Sequence, residues 1–467
     1  MRLASPFPPG PEQSSLIQAK RLGTDPYAFL SACAARFGET FTIRLPGGPI
    51  VVFSDPKAIQ AILRLRPEQV VSDKTNIAIN LGDSSLLFLD GEPHRHERKL
   101  LAAPLHGDRI TVFGELIQAL TRAAVERLRS GQTLDLAAEF GSIALSVVTR
   151  CIFGVIDHRR AAELEALVKR WAAVAFSRSV FMAGLVFEGW RVRSFLERQT
   201  QASLRKRSYE RNRRLPWHRL GDAKARLVQI LTREIADCRA ADTRGRNDIL
   251  ALLIETRYAD GERLSDQHII DELLTMLIGG HETTANTLAW VIVDLVHNPE
   301  ILAQVHAELD ATFAGGPVDV TRIRELELLN ACIDESMRLT PIAPGIPRHL
   351  AEPMTIAGHT LPAATVVWAC GYLVHRNPAI WGADAERYRP ARWLEGRRFK
   401  AHEFFPFGGG NRRCIGAAFA SYEMRVVLAQ LLSTWSFVPG PGPRSHPTIH
   451  GLAVSPSAGA RVTALMR

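Results

Sequence analysis

The alternation of apolar and polar positions predicts a chain built mostly of helices, with a short β-rich section near its start. Residues 41–52, FTIRLPGGPIVV, contain two β-rich runs around a Pro-Gly-Gly turn and predict a hairpin, and Asp55 begins a helix after it. The same patterns predict a helical section at 112–155, strands at 354–356 and 365–369, and a C-terminal hairpin around 455–459. We therefore expect a mainly α fold with a smaller β-containing lobe.

The longest predicted helix runs from Ser265 to His297 and is stopped by the Asn-Pro pair that follows. Ser265 or Asp266 can cap its start. Inside it, the stretch IGGHETTAN interrupts an otherwise apolar pattern with two glycines, an acid and two threonines. Because glycine weakens a helix and a threonine hydroxyl can bond to a carbonyl one turn back, we expect a local widening or kink here. Such a defect could hold dioxygen and water.

A single cysteine stands out in the stretch FFPFGGGNRRCIGAAFA at 404–420. Three glycines precede Cys414, and a helical pattern begins at Ile415, so the first amides of that helix would favour the thiolate form. A thiolate in this position is a metal ligand. The glycines do not follow the GxGxxG spacing of a dinucleotide-binding loop. The alternative is a glycine-rich turn before a helix, with a buried free cysteine.

Two pairs of charged or polar residues have helical spacing. His94 and Arg98 stand four apart on one face of a predicted helix and could hold a pair of carboxylates, the alternative being plain surface residues. Glu335 and Arg338 stand three apart on the face of a helix that ends before Pro341.

Composition narrows the class of protein. The chain has 467 residues, 46% hydrophobic and 22% charged, which is typical of a soluble globular protein. Since no repeat or linker divides it, we expect one domain over residues 1–467. The six cysteines include no CxxC pair, which argues against a zinc site or a disulfide framework and favours a reducing, cytoplasmic compartment. The N-terminal residues lack an apolar run, so no membrane anchor is expected.

Charge and aromatic content give weaker indications of function than the motifs do. The net charge of +9 is compatible with acidic partners, but no nucleic-acid motif is present, and the basic run at 205–219 is typical of a solvated helix face. Aromatic residues concentrate between 165 and 200, at Trp171, Phe176, Phe181, Phe187, Trp190 and Phe195, together with Met182. They are either helical core or the roof of an apolar pocket.

Four motifs, in this order along the chain, resemble those of the cytochrome P450 family. They are the His94 and Arg98 pair, the GGHETT stretch at 279–284, the Glu335 and Arg338 pair, and the cysteine loop. The resemblance implies a haem b held between the long helix and the cysteine loop, with Cys414 as the iron ligand. It also implies Arg392 as a third partner of Glu335 and Arg338. The residues that it assigns to cofactor binding are His94, Arg98, Gly280, Arg348, Phe407, Gly410, Arg412, Cys414 and Gly416, and those that it assigns to catalysis are Glu282 and Thr283.

The resemblance also implies a reaction. A haem-thiolate monooxygenase would hydroxylate or epoxidise a small hydrophobic substrate with O2 and two electrons. The chain contains no flavin or iron–sulfur motif, so a separate ferredoxin or flavodoxin with its reductase would supply the electrons to a monomer. The HETT form of the helix motif favours a terpenoid, such as a sesquiterpene, or a fatty acid as the substrate. The alternatives are a peroxide-driven peroxygenase of the same fold and a non-catalytic haem sensor. The basic residues that follow Arg392 predict a docking surface for an acidic ferredoxin.

Overall fold

The computed structural model describes residues 7–72, 81–102, 105, 107–154, 158–175, 189–205, 216–241, 246, 248–258, 261–450 and 453–467. Phe176, Phe181, Met182, Phe187 and most of the basic run at 205–219 lie outside the described residues. Two compact units are present: a first unit of Met1–Val71, Ile110–Ile143 and Glu282–Arg467, and a second unit of Ser72–Arg109 and Ala144–His281.

Helices are the most abundant regular elements of both units, as the sequence predicts. In chain order they are α1 (Ser15–Thr24), α2 (Pro26–Phe37), α3 (Pro56–Leu63), α4 (Gly91–Ala102), α5 (Gly114–Val125), α6 (Leu136–Phe153), α7 (His158–Ala175), α8 (Gly189–Leu204), α9 (Pro216–Ala240), α10 (Ile249–Glu255), α11 (Asp266–Val296), α12 (Pro299–Phe313), α13 (Glu327–Leu339), α14 (Gly371–Val374), α15 (Pro378–Trp381) and α16 (Ala417–Leu432).

The strands of the described residues all belong to the first unit. They are β1 (Thr40–Leu45), β2 (Gly48–Phe53), β3 (Val70–Val71), β4 (Thr133–Asp135), β5 (Ile346–Leu350), β6 (Met354–Ile356), β7 (His359–Leu361), β8 (Val366–Ala369), β9 (Trp435–Pro439), β10 (Pro447–His450), β11 (Ala453–Pro456) and β12 (Arg461–Met466).

The largest sheet has the strand order β1-β2-β8-β5-β3. Strands β1 and β2 form the predicted antiparallel hairpin, in which Leu45 lies opposite Gly48, and β2 continues parallel to β8. The carboxylate of Asp55 accepts a hydrogen bond from the Ala58 amide at 2.7 Å and so caps α3, as expected. One face of this sheet and α3 bury an apolar cluster that includes Phe53, Ile59 and Trp381. This cluster supports the loop segments around the cysteine.

The predicted C-terminal hairpin around 455–459 is wrong. Strand β11 pairs with β10, whereas β12 lies between β4 and β9 in a separate sheet. Between β11 and β12, Ala458, Gly459 and Ala460 all have positive φ angles. This run of left-handed residues turns the chain away from β11, so that β12 does not pair with β11. A Cβ on Gly459 would lie 2.0 Å from the Asp135 carboxylate, so the turn requires glycine.

The long helix is present almost as predicted. Helix α11 spans Asp266–Val296, the Ser265 hydroxyl accepts a hydrogen bond from the His268 amide at 3.2 Å, and Asn298 donates to the Asp294 carbonyl at 2.7 Å. The chain is α-helical through residues 279–284, and the local widening or kink expected there stays a prediction. A threonine back-bond is present in this section of the helix, where the Thr287 hydroxyl donates to the Thr283 carbonyl at 2.9 Å.

In the second unit, α9 packs against α7 and α8. Trp171 of α7 is 1% exposed, so this member of the aromatic group is a core residue. Helix α6 is the one described helix with the length and apolar content of a membrane span, and 61% of it is buried. A buried core helix of a globular protein meets the same criteria.

Candidate functional site

The cysteine loop has a backbone that two of its glycines make possible. Gly408 and Gly410 have φ angles of +70° and +67°, in the left-handed region that disfavours side chains. A Cβ on Gly410 would lie 1.9 Å from the Leu63 carbonyl oxygen, so the loop can pack on the end of α3 only with glycine at that position. The Cys414 amide then donates to the Phe407 carbonyl at 2.9 Å and closes the loop. These contacts fix the position of Cys414.

Cys414 differs from the other cysteines of the chain. It is exposed, whereas the other five are buried. Burial raises the pKa of Cys332 and of Cys370 to about 12, which keeps both as inert thiols. Helix α16 begins at Ala417, with Gly416 as its N-cap, slightly later than the pattern predicts. The loop therefore presents one accessible sulfur at the start of a helix, the arrangement that favours a thiolate ligand.

Arg348 lies near this loop on strand β5. Its guanidinium is 7% exposed and donates to two carbonyl oxygens, that of Pro347 at 2.8 Å and that of Gly409 at 3.0 Å. Burial and the positive charge of Arg412 lower the pKa of Arg348 to about 10. Within the described part of the chain, no carboxylate pairs with Arg348. A buried cation without a carboxylate is costly, so this position is suited to an anionic ligand.

Helix α11 carries the predicted oxygen-binding residues. Gly279 is exposed and the residues from Gly280 to Thr283 are half-buried, whereas Thr284 is buried. A Cβ on Gly280 would lie 2.8 Å from the Val148 side chain, so this position also favours glycine. Glu282 and Thr283 thus stand on the section of the helix that is open on one side.

His281 occupies the variable position of the helix motif. Its Nδ1 atom lies 3.1 Å from the Leu277 carbonyl oxygen, one turn back. Burial lowers the pKa of this imidazole, which favours its neutral form.

Helix α4 of the second unit carries His94 and Arg98, as the sequence predicts. His94 is 3% exposed, which is not what a plain surface residue would show. Arg98 is half-buried. Their approach to a haem stays a prediction.

The predicted buried triad is confirmed. Glu335 and Arg338 are both fully buried, and Arg392 is 5% exposed. Arg338 Nε and Nη2 donate to the two carboxylate oxygens of Glu335 at 2.8 and 2.9 Å, and Arg392 Nε donates to Oε1 at 3.0 Å. Bidentate pairing of this kind satisfies a buried carboxylate.

Sequence reasoning missed further members of this network. The Trp393 indole and the Arg389 amide also donate to Glu335, at 3.0 and 2.8 Å. The carboxylate of Asp384 lies 3.4 Å from Arg392 Nη1. His375 is fully buried and its Nε2 atom accepts a hydrogen bond from the Phe405 amide at 3.1 Å, which ties this network to the segment before the cysteine loop. Trp393 and Arg389 lie close to Arg392 along the chain, and this was the one feature of the sequence that could have indicated their part in the network.

The donor set of the first unit fits a haem. An exposed cysteine sulfur is a suitable axial ligand to haem iron. Arg348, buried and without a carboxylate among the described residues, is suited to a haem propionate.

Comparison with known proteins agrees with this site. A model of the cytochrome P450 family matches residues 5–463. Cytochrome P450 135B1 of Mycobacterium tuberculosis is 32% identical over 466 residues, covering 98% of this chain and 91% of the relative. Cytochrome P450 138 of the same species is 30% identical over 464 residues, covering 98% of this chain and 96% of the relative. Matches of this extent show that the chain belongs to the cytochrome P450 family and is a haem-dependent monooxygenase.

Proposed function

We propose that this enzyme hydroxylates or epoxidises a small hydrophobic substrate, a terpenoid such as a sesquiterpene or a fatty acid. In the balanced reaction, a C–H bond of the substrate, O2, two electrons and two protons give an alcohol and water. When bound, the haem, which we take to be haem b, supplies the redox iron that activates dioxygen. The observation that carries the proposal is Cys414, the one exposed cysteine, fixed on a glycine loop beside buried Arg348.

We assign the residues around the haem as follows. Cys414 ligates the iron, and Phe407, Gly410 and Gly416 shape the loop that holds it. His94, Arg98, Arg348 and Arg412 bind the propionates. Gly280 leaves room for the haem and substrate on the open section of α11. Each of these roles can be tested by a substitution that leaves the buried Glu335 network unchanged.

Glu282 and Thr283 are the proposed proton-delivery residues. A carboxyl group can take a proton from solvent, and a neighbouring hydroxyl can orient it toward the reaction centre. Both side chains are half-buried, so both retain access to water. This pair favours a monooxygenase over a peroxide-driven peroxygenase. A peroxygenase takes its oxygen atom from hydrogen peroxide, which is already reduced, and so needs no such relay. A haem sensor needs none either.

The electrons come, in this proposal, from a separate ferredoxin or flavodoxin with its reductase. Arg397, Arg398, Lys400 and Arg413 are exposed in the first unit, close in sequence to the cysteine loop. These four residues form the proposed basic docking surface. Arg425 also follows Arg392 in the sequence, but this residue is half-buried and near Asp334, so it does not belong to the docking surface. A basic surface would attract an acidic partner over distances set by the Debye length. We further propose a cytoplasmic monomer.

One experiment separates the three candidate functions. Oxygen consumption and product formation are measured with a surrogate ferredoxin and reductase, and separately with hydrogen peroxide alone, for the wild type and Thr283→Ala. A monooxygenase forms product in the first assay, and Thr283→Ala lowers product and raises hydrogen peroxide release per electron. A peroxygenase works only in the second assay and is insensitive to the substitution. A sensor forms product in neither.

A further inference from the structure

Two glutamates and a histidine of the second unit meet in a cluster that none of the four motifs includes. Glu97 lies on α4, and His268 and Glu272 lie on α11. One ligand atom from each residue lies within 4.8 Å of the other two, and Glu97 Oε1 is 3.1 Å from His268 Nε2. His268 and Glu272 are four residues apart, so one face of α11 presents both side chains toward α4.

The polar atoms of this cluster are buried and unsatisfied. Glu97 and Glu272 are 2% and 1% exposed. In the described part of the chain, Glu97 Oε1, His268 Nε2 and both carboxylate oxygens of Glu272 take part in no well-aligned side-chain hydrogen bond. Buried carboxylates are normally hydrogen-bonded or bound to a cation, because an unpaired buried charge is costly. The cluster therefore lacks a positively charged component.

Within the described residues, no lysine or arginine supplies that component. Among the described ion pairs, the two glutamates meet no lysine or arginine, and the single partner of Glu97 is His268. Burial and the neighbouring Glu97 carboxylate raise the pKa of Glu272 to about 9, against a smaller opposing effect of the Leu86 amide. Asp271 also stands nearby, but its oxygens accept hydrogen bonds from Gln267 and Ser84. Among the described residues, two carboxyl groups and an imidazole thus share a buried space without a lysine or an arginine.

The imidazole of His268 is oriented by a second contact. Its Nδ1 atom lies 3.0 Å from the Tyr258 hydroxyl. In the tautomer that carries its proton on Nδ1, this hydrogen bond leaves the lone pair of Nε2 directed at the glutamates. Histidines that bind metals are commonly fixed in this way by a hydrogen bond to the other ring nitrogen.

An open cleft gives access to the cluster. Its volume is about 480 Å³, and Glu97, His268 and Tyr258 contribute to its wall. Asp83 and Glu92 line the same cleft, and the Glu92 carboxylate pairs with Arg95 at 2.6 Å. A cation and water molecules can therefore reach the cluster from solvent.

We propose that Glu97, His268 and Glu272 form a binding site for a divalent transition-metal cation, with Zn²⁺ as the representative ion. One imidazole and two carboxylates suit this class of cation, and water from the cleft would complete a four-coordinate site. Tetrahedral bonds of about 2.0–2.2 Å place neighbouring ligand atoms about 3.3–3.6 Å apart. The observed 3.1 Å between Glu97 and His268 is close to that spacing.

The test measures zinc binding to the haem-loaded protein after treatment with a chelator and dialysis. Isothermal titration with ZnCl2 and elemental analysis after gel filtration give affinity and stoichiometry, and elemental analysis counts zinc separately from haem iron. The wild type should bind one Zn²⁺ per chain at micromolar or lower concentration. Glu272→Gln and His268→Gln should each weaken binding by more than about 100-fold, since even the loss of an outer partner commonly costs 10–100-fold.

Two further variants make the result specific. Glu92→Gln removes a carboxylate of the same cleft outside the cluster, and it should retain one Zn²⁺. Tyr258→Phe should bind one Zn²⁺ about 10-fold more weakly, because His268 loses its orienting contact. Glu272→Gln preserves the shape of the side chain, and its circular dichroism and melting temperature verify folding. The proposal is overturned if the wild type retains no zinc, or if Glu272→Gln and His268→Gln both bind it as the wild type does.

Discussion

Two buried arginines of the first unit differ in what surrounds them. Arg338 is fully buried and donates to both oxygens of Glu335 and to the carbonyls of His375, Ala385 and Arg387. Arg348 is 7% exposed and donates to two carbonyls, with no carboxylate among the described residues. Among the described residues, one guanidinium thus has a counter-charge and the other has none.

This difference distinguishes a structural network from a binding site. A buried ion pair whose hydrogen bonds are all made within the chain needs no ligand. A buried cation without a carboxylate is stabilised by an anion from outside, and for Arg348 we propose a haem propionate. The cluster of Glu97, His268 and Glu272 is the opposite case, in which two buried carboxyl groups pair with no lysine or arginine among the described residues. The account predicts that substitutions at Arg338 or Glu335 impair folding and that substitutions at Arg348 impair ligand binding.

Glu335→Ala should have the largest effect on the protein. It leaves Arg338 as an uncompensated buried charge and Arg392 with the Asp384 carboxylate alone, at a cost of about 3–5 kcal/mol in the free energy of unfolding. We expect little soluble, haem-loaded protein, measured by expression yield and haem content. Glu325→Ala is the matched control, because Arg322 and Glu325 form an exposed ion pair three residues apart. Normal yield for Glu335→Ala would show that the network is dispensable.

Arg348→Gln should leave folding intact and weaken haem binding. Loss of one charge-assisted hydrogen bond costs about 1.5–3 kcal/mol, which corresponds to roughly 10–100-fold faster haem release. The rate is measured by haem transfer to apomyoglobin, and the melting temperature of the haem-free protein is measured in parallel. Arg398→Gln, at an exposed position, should change neither quantity. A drop in stability of the haem-free protein without faster haem loss would make Arg348 structural.

Reversal of charge on the proposed docking surface should have a smaller effect. Arg413→Glu and Arg398→Glu should slow the first electron transfer from an acidic ferredoxin several-fold and leave substrate affinity unchanged. Because the Debye length falls from about 30 Å at 0.01 M to 10 Å at 0.1 M salt, the difference from wild type should shrink as salt is added. Arg127→Glu reverses an exposed charge outside this surface and serves as the control. Rates that respond to neither salt nor reversal would exclude the surface.

Asp294→Asn should have the smallest effect, visible in the pH dependence of stability. Burial, with a contribution from Glu335, raises the pKa of Asp294 to about 7, against the opposing charges of Arg444 and Arg376. The folded state therefore holds a proton that the unfolded state releases near pH 4, so wild-type stability falls as the pH rises from 4 through 7.

The side chain of asparagine does not titrate, so the stability of Asp294→Asn does not depend on a proton at this position. The variant should match the wild type near pH 4 and melt about 1–3 °C higher at pH 8. Thermal melts at both pH values give the result, and Glu300→Gln, at an exposed carboxyl, should show no pH-dependent difference. A constant offset at all pH values would mean that Asp294 is ionised throughout.

The elements with local signals were predictable from the sequence. The β1/β2 hairpin follows from a Pro-Gly-Gly turn between β-rich runs, and α11 follows from Ser265 at one end and Asn-Pro at the other. The triad around Glu335 was also predictable, because two of its members are three residues apart and the family resemblance supplied Arg392.

The remaining features depend on partners that are distant in sequence. The sequence prediction placed β11 and β12 in one hairpin, whereas β11 pairs with β10 and β12 pairs with β9. These pairings depend on tertiary packing, which the alternation of apolar and polar residues does not reveal. The Glu97 cluster was missed for a similar reason. His268 and Glu272 have helical spacing, but nothing in the sequence places Glu97 beside them.

The central claim is that Cys414 supplies the thiolate ligand of a haem monooxygenase, and the spectrum of the reduced carbon-monoxide complex tests it most directly. Wild-type protein should show the strongly red-shifted Soret band that thiolate ligation gives. Cys414→Ser should lose this band, because a serine hydroxyl is not deprotonated at neutral pH and is a poor donor to iron. Cys332→Ser, at a buried cysteine, should retain it. A red-shifted band that persists in Cys414→Ser would contradict the account.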